Sequence, residues 1–147
     1  MATVAKILAE KHDQSVHTIS PDSTVLDAAQ LMAKKKIGGL VVTEGELIVG
    51  IVTERDYARK LVPMNRSSSE TSVREIMSSP VLYVRPNQTR DECMALVTEN
   101  RLRHLPVIDD GKLIGLISIG DLVKNTICEQ QFIIGQLEHY IRGDLGE

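Results

Sequence analysis

Gly50-Ile51-Val52-Thr53-Glu54-Arg55-Asp56 returns, 65 residues further on, as Gly115-Leu116-Ile117-Ser118-Ile119-Gly120-Asp121. Both copies run from an apolar, β-branched stretch into a hydroxyl residue followed three positions later by an aspartate. That is the pattern of a strand delivering the chain to an N-capped helix. Residues 16–60 align with 81–125 without a gap, and Val16/Val81, Pro21/Pro86, Thr24/Thr89, Leu31/Leu96, Leu40/Leu105, Val42/Val107, Gly50/Gly115 and Asp56/Asp121 are identical. A lead-in also recurs, Val4-Ala5-Lys6-Ile7-Leu8 matching Val73-Arg74-Glu75-Ile76-Met77 at a slightly different spacing. The slip places four additional residues around 11–14, expected to be a surface loop. The chain is a tandem duplication, and its period sets the architecture.

Each unit has the same internal grammar. A short strand (16–19, 81–84) runs into a proline turn at Pro21 or Pro86. A helix then opens on Thr24-Val25-Leu26-Asp27 or Thr89-Arg90-Asp91-Glu92, capping boxes whose side chains satisfy the first free backbone N–H groups. Val25, Ala28, Ala29 and Met32 form an apolar helical stripe, and Lys34-Lys35-Lys36 sets cations against the negative end of the helix dipole. Two β-branched runs follow, 40–43 and 47–52 around Glu44-Gly45-Glu46, with counterparts 105–108 and 113–118 around Asp109-Asp110-Gly111. Both read as hairpins. A second helix starts near Glu54 and Ile119. A lone unit would expose one face of its sheet, so packing two units together is expected to close a core.

The polar stretch 62–72, with Pro63, Asn65 and Ser67-Ser68-Ser69, reads as a mobile linker. The expected organisation is a first unit with its N-terminal helix over residues 1–65, a second unit over 66–126 and a helical tail over 127–147. In that tail Ile127, Phe132, Ile133, Ile134, Leu137, Tyr140 and Ile141 keep helical spacing. The spacing suits an interaction or dimer face, or a helix folded back over its own domain.

The 147 residues are 42% hydrophobic and 25% charged, enough to bury a core without disulfide staples. A net charge of −3, with Lys and Arg scattered, argues against nucleic-acid or anionic-membrane binding. No apolar run is long enough to span a membrane, and Lys6, Glu10 and Lys11 interrupt the place of a signal peptide. Two cysteines make no disulfide framework, so a reduced, cytoplasmic protein is expected, with Cys93 and Cys128 both read as packing residues. His12, His17, His104 and His139 pair with no other His or Cys at a metal-ligand spacing. No metal site and no catalytic constellation is expected.

Ile76-Met77-Ser78 followed by Val84-Arg85-Pro86, the run Arg103-His104-Leu105-Pro106-Val107-Ile108-Asp109 and the paired stretches ending in Asp56 and Asp121 resemble the cystathionine-β-synthase (CBS) domain. Two in tandem resemble the CBS pair, or Bateman module. The resemblance covers Val4 to about Asn125. It implies an α+β fold of two tandem β-α-β-β-α units packed with pseudo-two-fold symmetry, plus a C-terminal helix. It also implies a non-catalytic regulatory module that binds an adenosine-containing ligand between the units: AMP, ADP, ATP, NAD or S-adenosylmethionine. Family members commonly pair two modules, so a homodimer is expected, with a regulated protein as a further partner.

The residue chemistry is consistent with that. Thr53 with Asp56, and Ser118 with Asp121, point a hydroxyl and a carboxylate at one spot. A carboxylate accepts hydrogen bonds from both hydroxyls of a ribose, and the helix N-terminus beside it favours phosphate. Plain N-capping by the same residues is the bland alternative. By the resemblance, Ser118 and Asp121 face Thr18, Ile37, Gly38 and Gly39, while Thr53 and Asp56 face Leu82, Tyr83, Leu102, Arg103 and His104. Two unequal sites follow. Thr53, Arg55, Asp56, Arg103 and His104 make the phosphate-rich candidate, whereas the Ser118/Asp121 site has fewer cations and is expected to be weaker or empty. The competing readings are a ligand-free dimerisation or scaffold module and a nucleotide-processing enzyme, for which the chain lacks a nucleophile, base pair or metal cluster.

Overall fold

A computed structural model describes residues 2–11 and 15–142. They form two compact units: residues 15–83 with 108–115, and residues 2–11, 84–107 and 116–142. The first is built on the body of the first repeat, the second on the body of the second. The segmentation expected from the repeat, 1–65 and 66–126, differs from these units because the lead-ins are exchanged.

In the first-repeat unit β1 (Thr18–Ile19) pairs in parallel with β2 (Gly39–Glu44), and β2 pairs antiparallel with β3 (Leu47–Thr53). Gly45 turns the hairpin at φ 60°, a left-handed conformation that glycine adopts without Cβ strain. The connecting helix α2 (Val25–Lys35) starts on a complete capping box: the Thr24 hydroxyl accepts from Asp27 N at 3.0 Å, and Asp27 Oδ2 accepts from Thr24 N at 3.3 Å. Its stripe of Val25, Ala28 and Met32 is buried against Leu40, Val42 and Val52. The second helix begins as α3 (Glu54–Asp56), passes through a π-helical stretch, Tyr57–Leu61, and ends as α4 (Val62–Met64). Pro63 accounts for the widening: it has no N–H to give to the preceding turn, and its ring would crowd a regular α-helical carbonyl.

The second repeat follows the same plan, with α1 (Val4–Ala9) docked on it, α5 (Arg90–Asn100), β4 (His104–Asp109), β5 (Lys112–Ser118) and α6 (Ile119–Ile141), its hairpin tip 108–115 being counted with the first unit. Its first strand is shorter than expected. The stretch 81–84 keeps one parallel bridge, Val84 to Val107, and leaves Leu82 and Tyr83 exposed. The expected tail is no separate element within the described residues; it continues α6.

The lead-ins dock by one hydrogen-bond pattern used twice. Val73 N and Arg74 N donate to Ser23 O and Pro21 O, and Val25 N donates to Thr71 O. In the other unit Val4 N and Ala5 N donate to Gln88 O and Pro86 O, and Arg90 N donates to Ala2 O. Each lead-in thus serves the opposite repeat: Val73 and Ile76 complete the first-repeat core, and Ala2, Val4 and Ile7 complete the second. Each unit therefore has its own core, a correction to the expectation that only packing the two together would close one. The polar stretch 62–72 also departs from a simple linker. Its first residues finish the helix, Thr71 is fully buried, and Ser68 O and Thr71 O accept the first N–H groups of α2. The expected loop around residues 11–14 lies outside the described residues beyond Lys11.

Candidate functional site

The two recurring boxes sit at equivalent strand-to-helix junctions, and the same backbone strap holds each one. Glu54 N donates to Gly38 O at 3.1 Å, and Ile119 N donates to Arg103 O at 2.9 Å. Gly39 is also in register with Thr53 across the hairpin. Each box therefore stands beside the loop that opens the hairpin of its own repeat. Gly38 and Gly39 adjoin Thr53 and Asp56, while Arg103 and the half-buried His104 adjoin Ser118 and Asp121. Ile37 and Leu102 close the preceding helices, each donating its N–H to a carbonyl five residues earlier, Met32 O and Val97 O. Thr18 is exposed on β1, Arg55 half-buried in α3, and Leu82 and Tyr83 exposed ahead of the Val84 bridge.

Within the boxes the carboxylates differ. Asp56 is buried. Its Oδ2 accepts from Thr53 N at 2.9 Å and from the Thr53 hydroxyl at 3.1 Å. Its Oδ1 accepts from the Ser78 hydroxyl at 3.2 Å and pairs with the Lys60 ammonium at 3.2 Å. Lys60 is fixed in turn by Ile76 O at 3.0 Å and Ser78 Oγ at 3.2 Å. A carboxylate has about four lone-pair positions, and those of Asp56 all meet donors from its own unit. Ser78 arrives because the second lead-in adds to β3: Ser78 N donates to Ile51 O at 2.8 Å and Ile51 N to Ser78 O at 3.0 Å. Gly50 permits this approach, since a Cβ there would lie 2.7 Å from Met77 Sδ and 3.1 Å from Ser78 O.

Asp121 is less enclosed. Its Oδ2 accepts from Ser118 N at 2.8 Å and pairs with the Lys11 ammonium at 3.0 Å. Lys11 is anchored by a 2.7 Å bond to Leu116 O. The Ser118 hydroxyl accepts from Asp121 N at 3.1 Å. Among the described residues, Asp121 Oδ1 has no donor and the Ser118 hydroxyl proton no acceptor. One acceptor and one donor are thus left at the N-terminus of a 23-residue helix, whose dipole and first N–H groups favour an anion.

Sequence reasoning found both boxes but missed Lys60, Ser78 and Lys11. Lys60 lies four residues after Asp56, a legible helical pair; Ser78 and Lys11 come from distant segments that only the exchanged lead-ins bring in. A second missed feature occupies the position matching Lys60. Asn125 is buried, accepting from Arg90 Nη1 at 3.0 Å and donating to Glu10 Oε2 at 3.0 Å, and Arg90 also binds Glu129 at 2.8 Å. Of the cysteines, Cys93 is buried, and burial pushes its thiol pKa up. Cys128 is exposed, a correction to its reading as a packing residue, because it falls on the outer side of α6. Among the described residues no group of three His, Cys, Asp or Glu could hold a metal, and no helix is long and apolar enough to cross a membrane.

A family model for the CBS domain matches residues 4–63 and 73–127. The chain is 38% identical over 148 residues to the mitochondrial CBS domain-containing protein CBSX3 of Arabidopsis thaliana, covering 97% of this chain and 72% of that one. Among solved structures it is similar to a CBS-domain protein from Burkholderia ambifaria, with a TM-score of 0.85 and 59% identity over 88% of this chain and 96% of that one. It is also similar to CBSX2, solved in complex with AMP, with a TM-score of 0.69 and 29% identity over 88% of this chain and 99% of that one.

Proposed function

Because this chain belongs to the CBS-domain family, we propose that it is a regulatory module without catalysis of its own, which takes an adenosine nucleotide (AMP, ATP or NAD) at the Ser118–Asp121 box. The observation that carries this reading is the opening left at that box: among the described residues Asp121 Oδ1 has no donor and the Ser118 hydroxyl, which accepts from Asp121 N, has no acceptor for its proton, whereas Asp56 is saturated. Ribose hydroxyls donate to Asp121 Oδ1 and the Ser118 hydroxyl adds a bond to the sugar. Phosphate lies toward the N-terminus of α6, with Lys11, Arg103 and His104 as the nearby cationic or ionisable residues. Adenosine as the ligand class is supported by the similarity to CBSX2, which was solved with AMP.

In this reading the expected order of the sites is reversed. Arg103 and His104 serve the Ser118 box of their own repeat, and the Thr53–Asp56 box, with Gly38, Gly39, Thr18 and Arg55 near it, is the weaker one. The bound nucleotide acts on a regulated protein through the geometry of the module, and free cysteines suit a reducing compartment such as the cytoplasm. Both boxes also cap their helices, so a chain that bound no nucleotide would be a scaffold.

Isothermal titration with AMP, ATP, NAD and S-adenosylmethionine tests the reading. One of them is expected to bind wild type and Asp56→Asn alike, and Asp121→Asn at least tenfold more weakly. Binding by none of the four, or binding lost in Asp56→Asn and kept in Asp121→Asn, would overturn it.

A further inference from the structure

The two lead-ins end differently, and the difference falls at the boxes. The second adds to β3 through the Ser78 bridge, and the lysine that meets Asp56, Lys60, belongs to the helix that follows the box. The first lead-in brings its own side chains instead. Its helix α1 is prolonged by Glu10 N and Lys11 N, which donate to Lys6 O and Leu8 O at 3.1 Å each. That turn sets both side chains against the second box and its helix. Glu10 Oε2 accepts from Asn125 at 3.0 Å, while the Lys11 ammonium pairs with Asp121 at 3.0 Å and donates to Leu116 O at 2.7 Å. The lead-in behind them is held by Ala2, Val4 and Ile7, all buried in the core of this unit. Lys11 is therefore a cation that the box of the second repeat borrows from the other end of the chain.

We propose that Lys11 makes the Ser118–Asp121 box selective for adenosine ligands that carry phosphate, and that docking of the first lead-in is linked to binding of that phosphate. The inference rests on the nucleotide reading of the box. Without Lys11 the box is a bare carboxylate, which suits ribose hydroxyls but repels a phosphate laid toward the start of α6. The ammonium reverses that. It has three N–H donors; among the described residues Leu116 O and Asp121 Oδ2 take two of them, and the third is left for a phosphate oxygen. Gly120 keeps the approach open, since a Cβ there would meet only the Ser118 hydroxyl, at 3.5 Å, where the first box carries Arg55. Adenosine needs only Asp121. S-adenosylmethionine carries a sulfonium on the ribose carbon that bears phosphate in AMP, and so sets a cation toward Lys11. Because the lead-in delivers Lys11, a phosphate that binds better to the docked lead-in must, by linkage, hold it docked. The N-terminal segment thereby reports whether the bound ligand is phosphorylated.

Isothermal titration of the full chain with AMP, ATP, NAD, adenosine and S-adenosylmethionine tests the selectivity in wild type, Lys11→Ala and Lys11→Arg. At least one phosphorylated ligand is expected to bind wild type tenfold or more tightly than adenosine and S-adenosylmethionine do. Lys11→Ala should weaken that ligand at least tenfold and adenosine less than twofold, and Lys11→Arg should keep most of the affinity. Amide exchange read by mass spectrometry tests the linkage. At saturation the phosphorylated ligand should slow exchange over residues 4–9 in wild type, and more than it does in Lys11→Ala. Equal losses for the phosphorylated ligand and adenosine in Lys11→Ala, or tighter binding of S-adenosylmethionine, would overturn the selectivity and leave the nucleotide reading standing. Equal slowing in wild type and Lys11→Ala would overturn the linkage. Binding of none of the five would overturn the nucleotide reading, and this inference with it.

Discussion

Asp56 and Asp121 occupy the same place in two copies of one motif, yet their surroundings have made them different groups. Asp56 is closed by four donors: two from Thr53, one from Ser78 and one from Lys60. Asp121 shares one oxygen between Ser118 N and Lys11, and among the described residues no donor reaches the other. The capping geometry is common to both, so the duplication preserved the helix start. What diverged is the second layer of donors, and that layer decides whether a carboxylate is a structural acceptor or one available to a ligand. The helices behind them diverged too. The first is interrupted by a π-helical stretch ahead of Pro63, and the second runs unbroken for 23 residues.

The comparison breaks most directly on stability. Asp56→Ala removes a buried carboxylate and the cap it gives Thr53 N, while its other partners, exposed Ser78 and half-exposed Lys60, can turn to water, so a loss of about 1–2 kcal/mol is expected. Asp121→Ala removes a cap and a partly exposed pair and should cost about 1 kcal/mol. Urea denaturation of the two variants measures the difference, and equal losses would show that the two boxes are equivalent after all. A sharper version opens the closed site. Lys60→Ala/Ser78→Ala frees Asp56 Oδ1, and calorimetric stoichiometry should rise from one nucleotide per chain toward two; an unchanged value would mean that something other than saturation closes it.

Smaller effects separate the cations. Lys11→Ala should change stability by less than about 1 kcal/mol, and its difference from wild type should shrink in high salt, as for a partly exposed ion pair. The lead-ins differ at two charged positions, Ala5/Arg74 and Lys6/Glu75, and at the latter the second lead-in carries a carboxyl. Glu75 hydrogen-bonds to Arg66 and accepts from Ser72 N, and these hold its carboxyl below the usual range; the matching position in the first lead-in is Lys6. A carboxyl depressed in the folded state contributes stability that is present above its unfolded pKa and lost as pH falls through the folded value. Acid unfolding from about pH 5 downward should therefore be slightly less steep in Glu75→Gln, a small effect because the pair is on the surface.

Much of the fold was legible from residue spacing, and for local reasons. Thr24 and Asp27 form the box their spacing predicts, both hairpins turn at the expected positions, and Val25, Ala28 and Met32 face the core as the helical period requires. The first strand of the second repeat was over-read because a β-branched run does not reveal how many partners it will find; 81–84 finds one bridge. The serine-rich stretch was over-read as mobile because hydroxyl residues suit a loop and a helix clamp equally well. Its backbone carbonyls, invisible to composition, accept the first N–H groups of α2.

The sequence by itself determined the duplication, the order of elements, the two capping boxes and the membership in the CBS family. These follow from side-chain periodicity and from contacts within a few residues, which spacing records. Only the tertiary structure decided that the lead-ins trade places and which oxygens of Asp56 and Asp121 are already taken. Ser78 reaches Asp56 across 22 residues and Lys11 reaches Asp121 across 110, after the chain has folded around each core. A hydrogen-bond acceptor is open or closed according to every donor within about 3 Å of it, and no local pattern in a chain can count donors that arrive from so far away.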